Sequence, residues 1–173
     1  MPRKPGVGAP MAREVFHVDW PLFGELSRAL ALKVAREFDP DLVVGIATAG
    51  VVPGAVVAAI LDRPFRSMIV SRRHMARTVR ATPAVLGEAP AEVRNADVLV
   101  VDETCDSGET LRLAVAAVVN AGAREVRTAV SIRTGDYEAD FAALETPASV
   151  VVLPWDREIL VNGELVPNPK YGL

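Results

Sequence analysis

The sequence predicts an α/β fold: a mainly parallel, doubly wound sheet followed by a small β-rich tail. Three observations predict it. Helical and strand patterns alternate along most of the chain, as in a sheet built from strand–helix–strand units. The runs 42–47 and 98–101 are short and apolar and end in turns, the pattern of strands buried on both faces. Near the C-terminus, Asn162-Gly163 stands between two apolar runs, which is a strong hairpin signal.

The first helix is predicted to begin near Asp19, which can cap it, with Pro21 suited to the first turn. Leu22, Leu26, Leu30, Val34 and Phe38 follow near helical spacing, and Pro40 stops the run. A strand at 42–47 leads through the small-residue turn Thr48-Ala49-Gly50 into a helix at 51–61, with Pro53 tolerated in its first turn. A second strand covers 65–70. Residues 71–95 lack clean periodicity and carry Arg72, Arg73, Arg77, Arg80 and Arg94, so they read as a long mobile excursion with room for a short helix. A strand at 97–101 precedes a helix at 109–121, which Gly122 ends. Further strands are expected at 126–132, 149–153, 159–161 and 164–166.

The 173 residues suit one domain, assigned to 15–173 after an arm at 1–14 rich in Pro and Gly. Met11 is a second candidate start. Composition is 50% hydrophobic and 24% charged, as expected of a soluble globular chain. A net charge of −3 argues against a nucleic-acid partner. No apolar run approaches the ~20 residues of a membrane span, so no membrane partner is expected. The single cysteine, Cys105, cannot form an intrachain disulfide, and a reducing cytoplasm is the simple expectation.

The chemistry concentrates at 98–110. An apolar strand ends in Asp102 and Glu103. A loop of Thr104, Cys105, Asp106, Ser107 and Gly108 follows, and a helix opens at Glu109-Thr110. Ligands of open α/β sheets sit beyond the carboxyl ends of strands. Loop amides and a helix N-terminus attract phosphate, and the Ser107 and Thr110 hydroxyls can donate to the same oxygens. Two acids beside such a site suit the hydroxyls of a sugar phosphate. The plainer alternative is a strand–loop–helix turn in which Ser107 or Asp106 only caps the helix. Cys105 has no His or Asp partner at a recognisable spacing and reads as a small loop residue. His17 reads as a surface or capping group, and His74 as a solvated loop position or an anion contact.

The whole pattern of four apolar residues, two acids, two variable residues, Asp-Ser-Gly, one variable residue and Thr resembles the phosphoribosyl-pyrophosphate (PRPP) signature of type I phosphoribosyltransferases. The resemblance extends along the chain. Residues 41–54 look like the family's pyrophosphate strand, turn and helix, 71–95 take the place of its flexible loop, and 149–173 that of its hood and tail. Pro154-Trp155-Asp156 is similar to the hood of the xanthine–guanine and hypoxanthine–guanine branch, which Trp20 also fits.

The resemblance implies a type I phosphoribosyltransferase fold and transfer of a phosphoribosyl group from PRPP to a purine base, 6-oxopurine favoured. The products would be a nucleoside monophosphate and pyrophosphate. It implies Mg²⁺ held mainly by PRPP, and a homodimer or higher even oligomer. It implies that Asp102 and Glu103 hold the ribose, and that Asp106, Ser107, Gly108, Glu109 and Thr110 cradle the 5′-phosphate, with Asp106 also facing the purine as a catalytic group. Thr48, Ala49 and Gly50, across a strained or cis peptide, would meet pyrophosphate with Arg72 or Arg73. Val150, Val151 and Trp155 would lie at the base. Two departures stand out. The turn 47–50 has no cationic side chain, and the branch's base-stacking aromatic falls at Val150 or Val151. They keep an alternative in view: a non-catalytic PRPP- or nucleotide-sensing regulator of the same fold.

Overall fold

The computed structural model describes residues 14–74, 78–148 and 150–172, without the side chains of 71–84 and 86. The arm proposed at 1–14 therefore lies outside the described residues, apart from Glu14.

Helix α1 (Trp20–Glu37) starts where its cap is encoded: the Leu22 N–H donates to Asp19 Oδ1 at 2.8 Å. It leads to β2 (Leu42–Ala47), α2 (Val51–Leu61), β3 (Phe65–His74), β4 (Thr78–Leu86), β5 (Asp97–Cys105), α3 (Glu109–Asn120), β6 (Glu125–Arg133) and β7 (Phe141–Glu145). These strands form one six-stranded sheet in the order β4-β3-β2-β5-β6-β7, parallel except for β4.

Side-chain alternation explains the two helical layers. Leu42, Val44 and Ile46 of β2 and Val98 and Val100 of β5 pack on α3 through Leu111, Ala114 and Val118. Their neighbours Val43, Leu99 and Val101 pack on α1 and α2 through Leu30, Val34 and Val57. Both faces are covered, hence the unbroken apolar runs.

The expectation that 71–95 lacks regular strands is corrected. β3 continues to His74, and the chain returns as β4, antiparallel to it, with a register shift between Ser71 and Arg73. Among the described residues of this stretch, only a short 3₁₀ turn, Ala91–Val93, is helical. Pro83, which argues against a central strand, is tolerated because β4 is the sheet edge. The third predicted strand is also longer. β5 runs through Asp102 to Cys105, because Asp102, Thr104 and Cys105 still pair with Val130, Ile132 and Arg133.

Two elements carried no local signal. β1 (Val15–His17) pairs in parallel with β8 (Val150–Val152), apart from the main sheet. β7 follows β6 without an intervening helix. The Asn162-Gly163 hairpin forms as expected from β9 (Glu158–Val161) and β10 (Glu164–Pro167), with φ of 51° and 88° at the turn. No helix among the described residues is long and apolar enough to cross a membrane.

Candidate active site

The chain passes from β2 outward to β3 and then crosses back to β5 on the other side. Strand order reverses there, and the carboxyl ends of β2 and β5 open a crevice between them. A cleft of about 650 Å³ occupies this position. Its walls include Ala47, Thr48 and Ala49 beyond β2, Ile69 and Val70 of β3, the stretch from Asp102 to Leu111, and Lys170. The predicted ribose, phosphate and pyrophosphate residues are thus brought to one cleft, except that Gly50 is not among its lining residues and the side chains of Arg72 and Arg73 lie outside the described residues.

Asp102 is 7% exposed, and its Oδ1 accepts the N–H of Glu103 at 3.0 Å. Burial, with the Glu103 side chain hydrogen-bonded and charged beside it, holds the Asp102 carboxyl well above its ordinary range. Cys105 is buried, and burial followed by the Asp102 charge pushes its thiol up to about 11. The thiol form, which this shift favours at neutral pH, is the less reactive one.

The loop before α3 is braced from below. The Cys105 carbonyl accepts the Thr134 N–H at 2.8 Å, and the Asp106 carbonyl accepts the Tyr137 N–H at 3.3 Å. Arg112 donates to the Ser107 carbonyl at 2.9 Å and lies 4.8 Å from the centre of the Tyr137 ring. Gly108 has φ of 76°, and a Cβ there would run into the Tyr137 ring. Glycine is needed twice over, for the left-handed backbone and for the space. With carbonyls tied behind it and α3 beginning at Glu109, the loop can turn amides toward an anion in the cleft. Gly108 is the N-terminal flanking residue of α3, and neither Asp106 nor Ser107 caps the helix with its side chain. On the opposite wall, the Ala47–Thr48 peptide is cis.

The model of the phosphoribosyl transferase domain matches residues 18–156. This chain belongs to the phosphoribosyltransferase family. It is therefore a phosphoribosyltransferase, an enzyme, with the type I fold. The xanthine-guanine phosphoribosyltransferase of Nitratidesulfovibrio vulgaris is 26% identical over 159 residues, covering 91% of this chain and 94% of that protein. A purine phosphoribosyltransferase from Pyrococcus horikoshii shares the fold with a TM-score of 0.71 at 24% identity, covering 86% of this chain and 99% of that one. A Neisseria gonorrhoeae protein solved with bound ppGpp superposes with a TM-score of 0.70 at 17% identity, over 87% and 92% of the two chains.

In this phosphoribosyltransferase none of the three residues expected at the base is among those that line the cleft. Val150 and Val151 are held in β8 against Val15 and Phe16. The Trp155 ring packs 5.1 Å from Phe23 and 6.3 Å from Trp20, in the cluster of Leu26, Ile132 and Leu153. Its indole N–H is buried with no partner. The residue missed from sequence is Lys170. It sits in Pro-Lys-Tyr near the end of the chain, where nothing local links it to a strand end over 60 positions earlier.

Proposed function

We propose that this phosphoribosyltransferase transfers the 5-phosphoribosyl group from PRPP to a 6-oxopurine base, releasing a nucleoside monophosphate and pyrophosphate. One observation carries the reading. Two carboxylates, a braced amide loop at a helix N-terminus and the Thr48-Ala49 turn line a single cleft at the strand switch point. The purine preference is supported by the relative from Nitratidesulfovibrio vulgaris, alike over nearly the whole of both chains.

In this reading the amides from Asp106 to Thr110 hold the 5′-phosphate, and Asp102 and Glu103 accept hydrogen bonds from the ribose hydroxyls. Charge–dipole contacts of this kind, formed before reaction, stabilise the cationic sugar as it develops. A purine nitrogen attacks the anomeric carbon, and the carbon–oxygen bond to pyrophosphate breaks with its electron pair on the leaving oxygen. The base's N–H proton passes to Asp106 or through it to water. Asp102 and Glu103 are hard oxygen donors and fit a divalent cation shared with the phosphates. When bound, Mg²⁺ neutralises charge on the departing pyrophosphate. A homodimer or higher even oligomer belongs to the same reading and is checked by sedimentation.

The test is turnover with PRPP, Mg²⁺ and guanine, xanthine, hypoxanthine or adenine. Formation of the 6-oxopurine monophosphates is expected. Tight PRPP binding with no turnover on any of these bases would overturn the assignment of a purine acceptor.

A further inference from the structure

The cleft has an electrostatic imbalance. Asp102, Glu103, Asp106 and Glu109 line it, and among the described lining residues Lys170 is the only cation. A ligand carrying several phosphates needs more positive charge than loop amides supply. Arg112 is not among the residues that line the cleft; its guanidinium donates to the Ser107 carbonyl and lies over the Tyr137 ring.

Lys170 reaches the cleft because the end of the chain is anchored beside it. Asn168 opens the 3₁₀ turn Pro169–Tyr171, with its Oδ1 accepting the Lys170 N–H at 3.1 Å. Its Nδ2 donates to the Asp156 carbonyl at 2.7 Å, and its own N–H donates to the Arg157 carbonyl at 2.9 Å. Tyr171 is 8% exposed, and its hydroxyl hydrogen-bonds Asp156 Oδ1. The Lys170 ammonium pairs with Asp156 Oδ2 and lies 4.7 Å from the centre of the Tyr171 ring. An ammonium has three protons. Asp156 takes one and the ring face another, which leaves a donor for the cleft. The Lys170 side chain is 48% exposed, so its pair with Asp156 adds little stability and is not what docks the tail.

We propose that Lys170 is a substrate-binding cation of this enzyme, meeting the phosphate oxygens of PRPP, and that Asp156 and Tyr171 are positioning residues that hold its ammonium at the rim. The turn Pro169–Tyr171 is then part of the active site. The proposal rests on the reading that a phosphoribosyl ligand occupies the cleft.

The experiment is calorimetry of PRPP with Mg²⁺, and separately of inorganic pyrophosphate, on wild type, Lys170→Met, Lys170→Gln, Lys170→Arg and Tyr171→Phe. Steady-state kinetics and melting curves accompany it, all read below the lowest melting midpoint. We expect Lys170→Met and Lys170→Gln to weaken PRPP by about tenfold or more, the loss typical of a charged hydrogen bond. Lys170→Arg restores most of that affinity, Tyr171→Phe weakens PRPP a few-fold, and KM for the base moves less than twofold. Wild-type PRPP affinity in both uncharged variants, or a rise confined to the KM of the base, overturns the assignment. If wild type itself binds neither PRPP nor pyrophosphate, the proposed function falls with it. If wild type binds PRPP and the variants bind it equally, only Lys170 falls.

Discussion

Gly50 and Asp102 touch across the switch point: a Cβ on Gly50 would stand 2.6 Å from Asp102 Oδ1 and 2.7 Å from the Ile46 carbonyl oxygen. Gly50 has φ of −66°, open to any residue, so the requirement there is space and not backbone freedom. Gly50→Ala must push apart the start of α2 and the end of β5, at a cost of about 1–3 kcal/mol. We expect a lower melting temperature together with weaker PRPP binding. Unchanged values for both would show that the turn yields without disturbing the acid.

Asp102→Asn is expected to separate stability from binding. The folded state holds the Asp102 proton more tightly than the unfolded chain does. That contribution is complete below the ordinary value of 3.8 and is lost as pH rises through the raised folded value. Wild-type apo protein should therefore lose stability with rising pH above about 4, and Asp102→Asn should flatten that slope. A gain of ~1 kcal/mol at neutral pH would raise Tm by about 2–4 °C. PRPP affinity should fall about tenfold as a charged ribose contact disappears. Melting curves from pH 4 to 8, with calorimetry, check both.

Asp106→Asn should do the reverse. It keeps the loop and its amides, so PRPP affinity should hold while kcat falls by roughly 10²–10⁴, the share of a positioned acid–base group. Undiminished kcat in the folded variant would remove Asp106 from the proton path and leave the phosphate site standing.

Tyr137 is expected to matter through its ring. Tyr137→Phe keeps the face against Gly108 and Arg112 and should behave like wild type. Tyr137→Ala frees both and should raise KM for PRPP several-fold, with greater amide exchange at 106–110. Equal exchange in the two variants would count against the brace.

Trp155→Phe keeps the packing against Phe23 and removes a buried N–H that has no partner. Such a group costs about 1–3 kcal/mol, so Trp155→Phe should be no less stable than wild type. Trp155→Ala should lose roughly 2–4 kcal/mol. Chemical denaturation of both distinguishes a packing residue from one whose indole serves the base.

Local signals in the sequence determined the elements that carry the site's backbone. The Asp19 cap, the apolar spacing of α1, the continuous runs of β2 and β5 and the Asn162-Gly163 turn each act within a few residues, so each is legible before the chain folds. The acids and loop at 102–110 are legible for the same reason: a strand end, a glycine with positive φ and a helix start are neighbours in sequence. Tertiary structure alone decided the rest. Phe141-Ala-Ala-Leu-Glu has a composition suited to a helix, and only pairing with β6 makes it a strand. Val15–His17 is too short to stand without Val150–Val152. The acids remain on β5 because β6 extends beside them. The Trp155 ring packs on the apolar surface that Phe23 and Trp20 offer it, and Lys170 reaches the cleft because Asn168 and Tyr171 hydrogen-bond Asp156 and hold the tail there. Long-range pairing and packing leave no mark on local periodicity, so these placements exist only in the folded chain.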